Sequence, residues 1–231
     1  MIHYNITCPV CGAQKFKSYK KNYLKCEYCD SIISNENTSN SKSIGDIYIE
    51  NLSSIVEIST ITKDGEEVCG TGIIMSKDGL ILTCHHIFEE IDPESSILIQ
   101  NSKYNISGFA RIIKYNETKD ISLLKAENIH FQTFMKFTNT KYRTTDKIYV
   151  IGNSKGEGLY VIDGIISDVN RVIDNVEYIV ISAPVTNGYS GAPVISTNGN
   201  IIGMVVAGRN NAVSMNYALP LSTLMKFLKN T

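Results

Sequence analysis

The sequence predicts an all-β fold, either barrels or a sandwich, ending in one short helix. Three observations point that way. From Asp46 onward, short hydrophobic runs rich in Val, Ile and Tyr recur along the chain. Turn residues interrupt them, and no helical pattern alternates with them as a βαβ sheet would require. In order, the runs are Val68–Met75, Leu80–Thr83, Ile97–Gln100, Tyr104–Tyr115, Ile121–Leu124, Lys147–Ile151, Leu159–Val169, Tyr178–Ala183, Ala192–Ser196, Ile201–Ala207 and Ser214–Leu219. Lys77-Asp78-Gly79 and Asn198-Gly199-Asn200 read as tight turns, since glycine tolerates the positive φ they need. About a dozen strands so closely spaced fit a barrel or sandwich. After Pro220 the texture changes. Leu221, Leu224, Met225 and Leu228 repeat at helical spacing, which predicts a short amphipathic helix packing its apolar stripe on the domain.

Residues 1–34 are rich in cysteine and lysine, 35–45 (NENTSNSKSIG) have the polar composition of a linker, and 46–231 hold the β pattern. A chain of 231 residues can bury roughly 70% of its unfolded surface, enough for one large core or a small module beside a medium one. A net charge of −1 gives no global reason to expect nucleic acid or membrane binding. No apolar run approaches the ~20 residues that cross a bilayer. Met1–Gly12 shows no secretory leader pattern, so a reducing compartment, the cytoplasm, is the expected location.

Four of the six cysteines form two pairs, Cys8-x2-Cys11 and Cys26-x2-Cys29, fourteen residues apart. Thiols so spaced, in a chain expected to be reduced, point to a metal more than to bridges. Cys8, Cys11, Cys26 and Cys29 match a tetrahedral Cys₄ site of the zinc-ribbon kind, with structural Zn²⁺ expected and iron as the alternative. Lys15, Lys17, Lys20, Lys21 and Lys25 interleave with Phe16, Tyr19 and Tyr23, which could stack on bases or grip a protein tail. A solvated lysine face with aromatics covering a tiny core is the favoured reading, so nucleic acid is disfavoured as a partner. Cys69 and Cys84 fall in strand-like segments and are expected to be reduced core thiols.

The β region carries a candidate for nucleophilic catalysis. Thr186-Asn187-Gly188-Tyr189-Ser190-Gly191-Ala192-Pro193 contains a Gly-x-Ser-Gly turn able to expose a hydroxyl beside backbone N–H groups. Ser190 is weak alone and needs a base to accept its proton. His86, in Leu82-Thr83-Cys84-His85-His86, is the candidate base. Asp120, before Ile121-Ser122-Leu123-Leu124, is the candidate that orients it. The chain order His, Asp, Ser is one of the known triad orders, and the N–H groups of Gly188 and Ser190 would receive an oxyanion.

These blocks, with Cys69-Gly70-Thr71-Gly72, Val150-Ile151-Gly152-Asn153, Gly203-Met204-Val205 and Tyr217-Ala218-Leu219-Pro220 in order between and after them, resemble the trypsin-like serine peptidases, most closely the HtrA/Deg branch. The likeness covers about four-fifths of the chain. It implies two six-stranded antiparallel β-barrels with a C-terminal helix, the site lying between them. It also selects His86 over His85, because the family histidine lies three positions after the threonine of Leu82-Thr83. By the same alignment Pro184 floors the S1 pocket, Gly208 and Asn216 wall it, and Val206, Ala207 and Gly208 pair with substrate backbone. No acidic residue stands at that floor, so a small or medium uncharged P1 residue is expected. Tyr189 replaces the aspartate that many relatives use in zymogen activation, which makes that activation route unexpected here. Val206 replaces a hydroxyl that supports the aspartate elsewhere, so Asp120 must find other donors.

Two functions fit these residues. The favoured one is an intracellular serine endopeptidase acting on protein or peptide substrates, with the cysteine module recruiting substrate or a protein regulator. The alternative is a catalytically inactive protease-like scaffold that recognises partners through that module.

Overall fold

The structure, a computed structural model, describes residues 7–8, 10–20, 23–34, 43–92, 95–135, 137–138, 140–206 and 215–229. The chain divides into two compact units, Met1–Ser41 and Lys42–Thr231. In the first, β1 (Phe16–Lys20), β2 (Tyr23–Cys26) and β3 (Ile32–Ser34) form a three-stranded antiparallel sheet. Leu24 is the one fully buried aliphatic side chain among this unit's described residues, with Cys8 and Cys26 buried beside it.

The second unit opens with helix α1 (Ile44–Leu52). Ser43 caps it by accepting from the Asp46 amide and donating to the Asp46 carboxylate, which satisfies one orphan N–H of the first turn. Ile44 and Gly45, placed in the linker by composition, lie within this helix; residues 35–42 are outside the described ones.

Two closed barrels follow. The first is built from β4 (Ile55–Ile61), β5 (Glu67–Ile74), β6 (Leu80–Thr83), β7 (Ile97–Asn101), β8 (Ile106–Asn116) and β9 (Ile121–Ala126), in the spatial order β4-β5-β6-β9-β8-β7. The second comprises β10 (Lys147–Asn153), β11 (Leu159–Ile173), β12 (Val176–Ile181), β13 (Pro193–Ser196), β14 (Ile201–Val206) and β15 (Asn216–Pro220), in the order β10-β11-β12-β15-β14-β13. Each barrel is six-stranded and antiparallel, and the two share one winding. The expected two-barrel architecture is the one observed, and closure leaves neither sheet an end strand to cover.

Strand periodicity explains how the barrels share a core. On β10, Ile148 and Val150 belong to the second barrel's cluster with Ile166, Ile181 and Val194, whereas Tyr149 and Ile151 join the cluster filled by the first barrel. Helix α2 (Leu221–Lys229) buries Thr223, Leu224 and Phe227, a stripe that includes Leu224 but centres on Phe227 as well. Lys114 of β8 donates to the Phe227 carbonyl and lies over its ring, tying the last helix to the first barrel.

Besides helix α1, which the β pattern from Asp46 onward did not anticipate, three details differ from the sequence reading. β4 was not among the expected runs, although it pairs with both β5 and β7 and so closes the first barrel. Its alternation is masked by near-complete burial, five of its first six residues being buried. The run expected to start at Tyr104 starts at Ile106, because Ser102–Tyr104 forms a 3-10 turn ended by Asn105 in the left-handed region. β11 extends to Ile173, so its hairpin with β12 is longer than the pattern indicated. Among the described residues, no helix is long and apolar enough to cross a membrane.

Candidate active site

Asp120 immediately precedes β9 with φ 55°, in the left-handed region, and its carboxylate reaches the segment after β6. One oxygen accepts from the backbone amides of His85 and His86, each at 2.8 Å. The other lies 2.6 Å from His86 Nδ1. These two amides are the replacement donors that Val206 cannot supply. Burial acts first to raise the Asp120 pKa, but the hydrogen bond from His86, its charge and the two amides together outweigh it, so the net shift is downward. An ionised carboxylate only accepts, so Nδ1 carries a ring proton, and in the neutral imidazole Nε2 is left with a lone pair. Nε2 stands 2.9 Å from Ser190 Oγ. His86 and Asp120 come from the first barrel and Ser190 from the second, 104 residues after His86.

The sign of the Asp120 shift makes a prediction. A depressed native pKa stabilises the fold fully above the unfolded value near 3.8, and that contribution is lost as pH falls through the lower native value. Asp120→Asn should therefore be less stable than wild type at neutral pH. The gap should close in denaturant titrations run from about pH 6 down to about pH 2. A gap that widened on acidification would contradict the arrangement.

The loop bearing Ser190 leaves two amides without a protein acceptor. The Thr186 carbonyl accepts from the Tyr189 amide at 3.1 Å, and Gly188 has φ 94°, which together define a type II turn with glycine at its third position. The Asn187 carbonyl is held by the Lys155 amide at 3.0 Å, and the Tyr189 carbonyl by the Ala192 amide at 2.9 Å. In a trans peptide the N–H points opposite to the carbonyl. The N–H groups of Gly188 and Ser190 therefore face away from these anchors, and neither has a protein acceptor among the described residues. A Cβ on Gly188 would stand 2.3 Å from the Asn153 carbonyl oxygen, so only glycine fits this turn.

Val206 is buried and ends β14, paired with Tyr217. Pro184 is exposed, and Asn216 is buried with its Nδ2 donating to the Ala183 carbonyl at 2.8 Å. Ala207 and Gly208 lie outside the described residues. His85 stacks on Tyr115 and its Nδ1 lies 3.0 Å from Ser122 Oγ, on the other side of the chain from Ser190's partner. Cys69 and Cys84 are free thiols. Burial, then the Asp120 charge, pushes the Cys84 pKa well above the ordinary value, and its Sγ donates to the Val205 carbonyl. Such a thiol is inert. Sequence reading missed Thr71, Asn153 and Lys155, which hold the serine loop from a distance. Thr71-Gly72 was part of the quoted motif, but nothing local showed which loop it would touch.

The four paired cysteines also converge. All their Sγ atoms lie within 4.8 Å of one another, with Cys8–Cys29 at 3.5 Å and Cys11–Cys26 at 3.6 Å. A tetrahedral ion with Zn–S near 2.3 Å needs sulfurs about 3.8 Å apart, while a disulfide needs about 2.05 Å. The donor set therefore fits a thiolate-bound divalent ion. The two knuckles are built alike. Gly12 and Asp30, both at positive φ, donate to Cys8 and Cys26, while the Cys8 and Cys26 amides donate to Ala13 and Ser31.

Two six-stranded barrels with a His–Asp–Ser line at their junction define a chymotrypsin-like fold. The chain belongs to the trypsin-like peptidase family, whose domain model, described as "Trypsin-like peptidase domain", matches residues 70–204. It is 30% identical over 164 residues to a "Probable periplasmic serine endoprotease DegP-like" of Chlamydia trachomatis, covering 67% of this chain and 32% of that protein. It is also 30% identical over 162 residues to "Serine endoprotease DegS" of Haemophilus influenzae, covering 66% of this chain and 46% of that one. The chain thus spans about a third to a half of the length of these curated relatives. Among solved structures, the "HtrA-type protease AlgW with tripeptide" superposes with a TM-score of 0.73 at 22% identity, covering 82% of this chain and 63% of that one, a likeness of fold. These relatives correct one expectation. Those of Chlamydia and Rickettsia are named periplasmic, which points to the periplasm and overturns the cytoplasmic location. That expectation rested on the residues of Met1–Gly12 alone, and the names of the relatives stand against it.

Proposed function

We propose that this protein is an HtrA-type serine endopeptidase that cleaves extended segments of protein substrates through an acyl-enzyme. The observation that carries the reading is the unbroken line from Asp120 through His86 to Ser190, beside two amides with no protein acceptor. His86 Nε2 takes the Ser190 proton as Oγ attacks the scissile carbonyl carbon. The carbonyl oxygen, now negative, is held by the Gly188 and Ser190 amides. The imidazolium, stabilised by Asp120, gives its proton to the leaving amine, and water attacks the acyl-enzyme by the same route in reverse.

Substrate backbone would add as a strand along Val206, Ala207 and Gly208, with Pro184, Gly208 and Asn216 shaping S1. With no acid there, a cleavage profile on a peptide library is expected to favour small or medium uncharged P1 residues. Dominant Arg or Lys at P1 would refute this. The sulfurs of Cys8, Cys11, Cys26 and Cys29 would hold a structural Zn²⁺, and the ion's chemistry is to cross-link the two knuckles. That module would recruit substrate or a protein regulator.

The direct test of the enzyme is labelling by a fluorophosphonate, which reacts only with an activated serine. One adduct per chain, mapped to Ser190 by mass spectrometry and absent after His86→Ala, is expected. No adduct on folded protein would leave the scaffold alternative in its place.

A further inference from the structure

We infer that Thr71, a residue of the first barrel, is a positioning residue for the oxyanion donors carried by the second; the inference rests on the endopeptidase reading above. Thr71 is completely buried on β5 and touches the serine loop twice. Its amide donates to the Ser190 carbonyl at 2.8 Å, and its hydroxyl donates to the Gly188 carbonyl at 2.7 Å. The same hydroxyl oxygen accepts from the amide of Asn153, the last residue of β10, at 2.8 Å, and Lys155, two residues further on, holds the Asn187 carbonyl. Thr71 is itself fixed, since its carbonyl accepts from Thr83 Oγ1 at 2.7 Å.

The consequence follows from peptide planarity. Four consecutive peptide planes, beginning at Asn187, Gly188, Tyr189 and Ser190, each have their carbonyl held. The acceptances are from Lys155, Thr71 Oγ1, Ala192 and the Thr71 amide in turn. The second and fourth planes are also tied through their N–H groups, Tyr189 to the Thr186 carbonyl and Gly191 to the Val205 carbonyl. With those planes locked, the N–H groups of the first and third, Gly188 and Ser190, are left directed into one space. Thr71 supplies two of the four carbonyl anchors. Close approach leaves it no slack, because a Cβ on Gly191 would meet the Thr71 carbonyl oxygen at 2.1 Å.

Thr71→Val tests the hydroxyl alone, since it keeps shape and the amide. It strands the buried Gly188 carbonyl and Asn153 amide, and leaves the Gly188–Tyr189 plane held only through the Tyr189 N–H. Loss of one oxyanion donor costs about 10²–10³ in turnover, and a displaced donor should cost about 10–100. We expect kcat per fluorophosphonate-titrated site to fall by about that factor with KM within about twofold. Affinity for a peptide boronate, which presents a tetrahedral oxyanion, should fall in parallel, while affinity for a product peptide stays. Thr71→Ser, which restores the hydroxyl, should recover both kcat and boronate affinity. Should Thr71→Val not fold, Thr71→Ala removes the hydroxyl without the second methyl and is read in the same way. Variants that melt earlier yet keep wild-type kcat and boronate affinity would overturn the inference and leave the enzyme reading intact. Wild-type protein that neither labels nor cleaves overturns both.

Discussion

Replacing Ser190 by alanine is expected to lower turnover of a peptide substrate by about 10⁶ while leaving substrate affinity nearly unchanged. The size follows from what is lost. Without Oγ there is no acyl-enzyme, and the Nε2 lone pair 2.9 Å away has no proton to take. The Gly188 and Ser190 amides remain, so roughly 10³–10⁴ of acceleration over water should survive. Because the line works as a unit, His86→Ala should cost about as much, and the double variant little more than either single one. Asp120→Ala should be milder than Ser190→Ala, since the ring keeps its reach to Ser190 but loses its fixed tautomer. Single-turnover kinetics on these four variants would show the pattern. Unchanged proteolysis in Ser190→Ala would remove the assignment.

Stripping metal from the cysteine module is expected to unfold it and leave the barrels intact. Apart from Cys8 and Cys26, its described residues bury only Leu24 among large apolar side chains, while Val10, Tyr19, Tyr23, Tyr28 and Ile32 are largely exposed. A core so small cannot offset the entropy of ordering the chain. Binding of Zn²⁺ by four thiolates contributes roughly 10–16 kcal/mol in small zinc peptides, which is the scale needed. In amide spectra of the 231-residue chain, a chelator or Cys26→Ser should collapse the signals of β1, β2 and β3 into the unfolded range. Signals from the barrels should stay in place. Metal content should be one ion per chain before treatment. A module that stays dispersed with no metal bound would show that the thiols hold it by other means.

The two sites were legible in the sequence to different depths. The cysteine spacing defines its geometry almost alone, because each knuckle is a local turn closed by bonds four or five residues long, such as Gly12 to Cys8 and Cys8 to Ala13. Nothing distant is required except that two equal halves meet. The His86, Asp120 and Ser190 blocks were also readable, since each has a local signature and their order is informative. β4 escaped notice because a strand buried on both faces loses the alternation by which strands are recognised. The location was not legible in Met1–Gly12, and the relatives named periplasmic overturn the cytoplasmic expectation.

What the sequence by itself determined is therefore the chemistry: which side chains could act, which thiols pair, and that β-strands carry them. Only the tertiary structure decided the directions. The support of Asp120 by the His85 and His86 amides, the commitment of Asn216 Nδ2 to the Ala183 carbonyl, and the clasp of Thr71 on Gly188 across 117 residues are all of this kind. Each depends on where a backbone carbonyl or amide points, a property every residue type shares. Side-chain identity cannot reveal it, and it becomes definite only when two closed barrels bring distant peptide planes into contact.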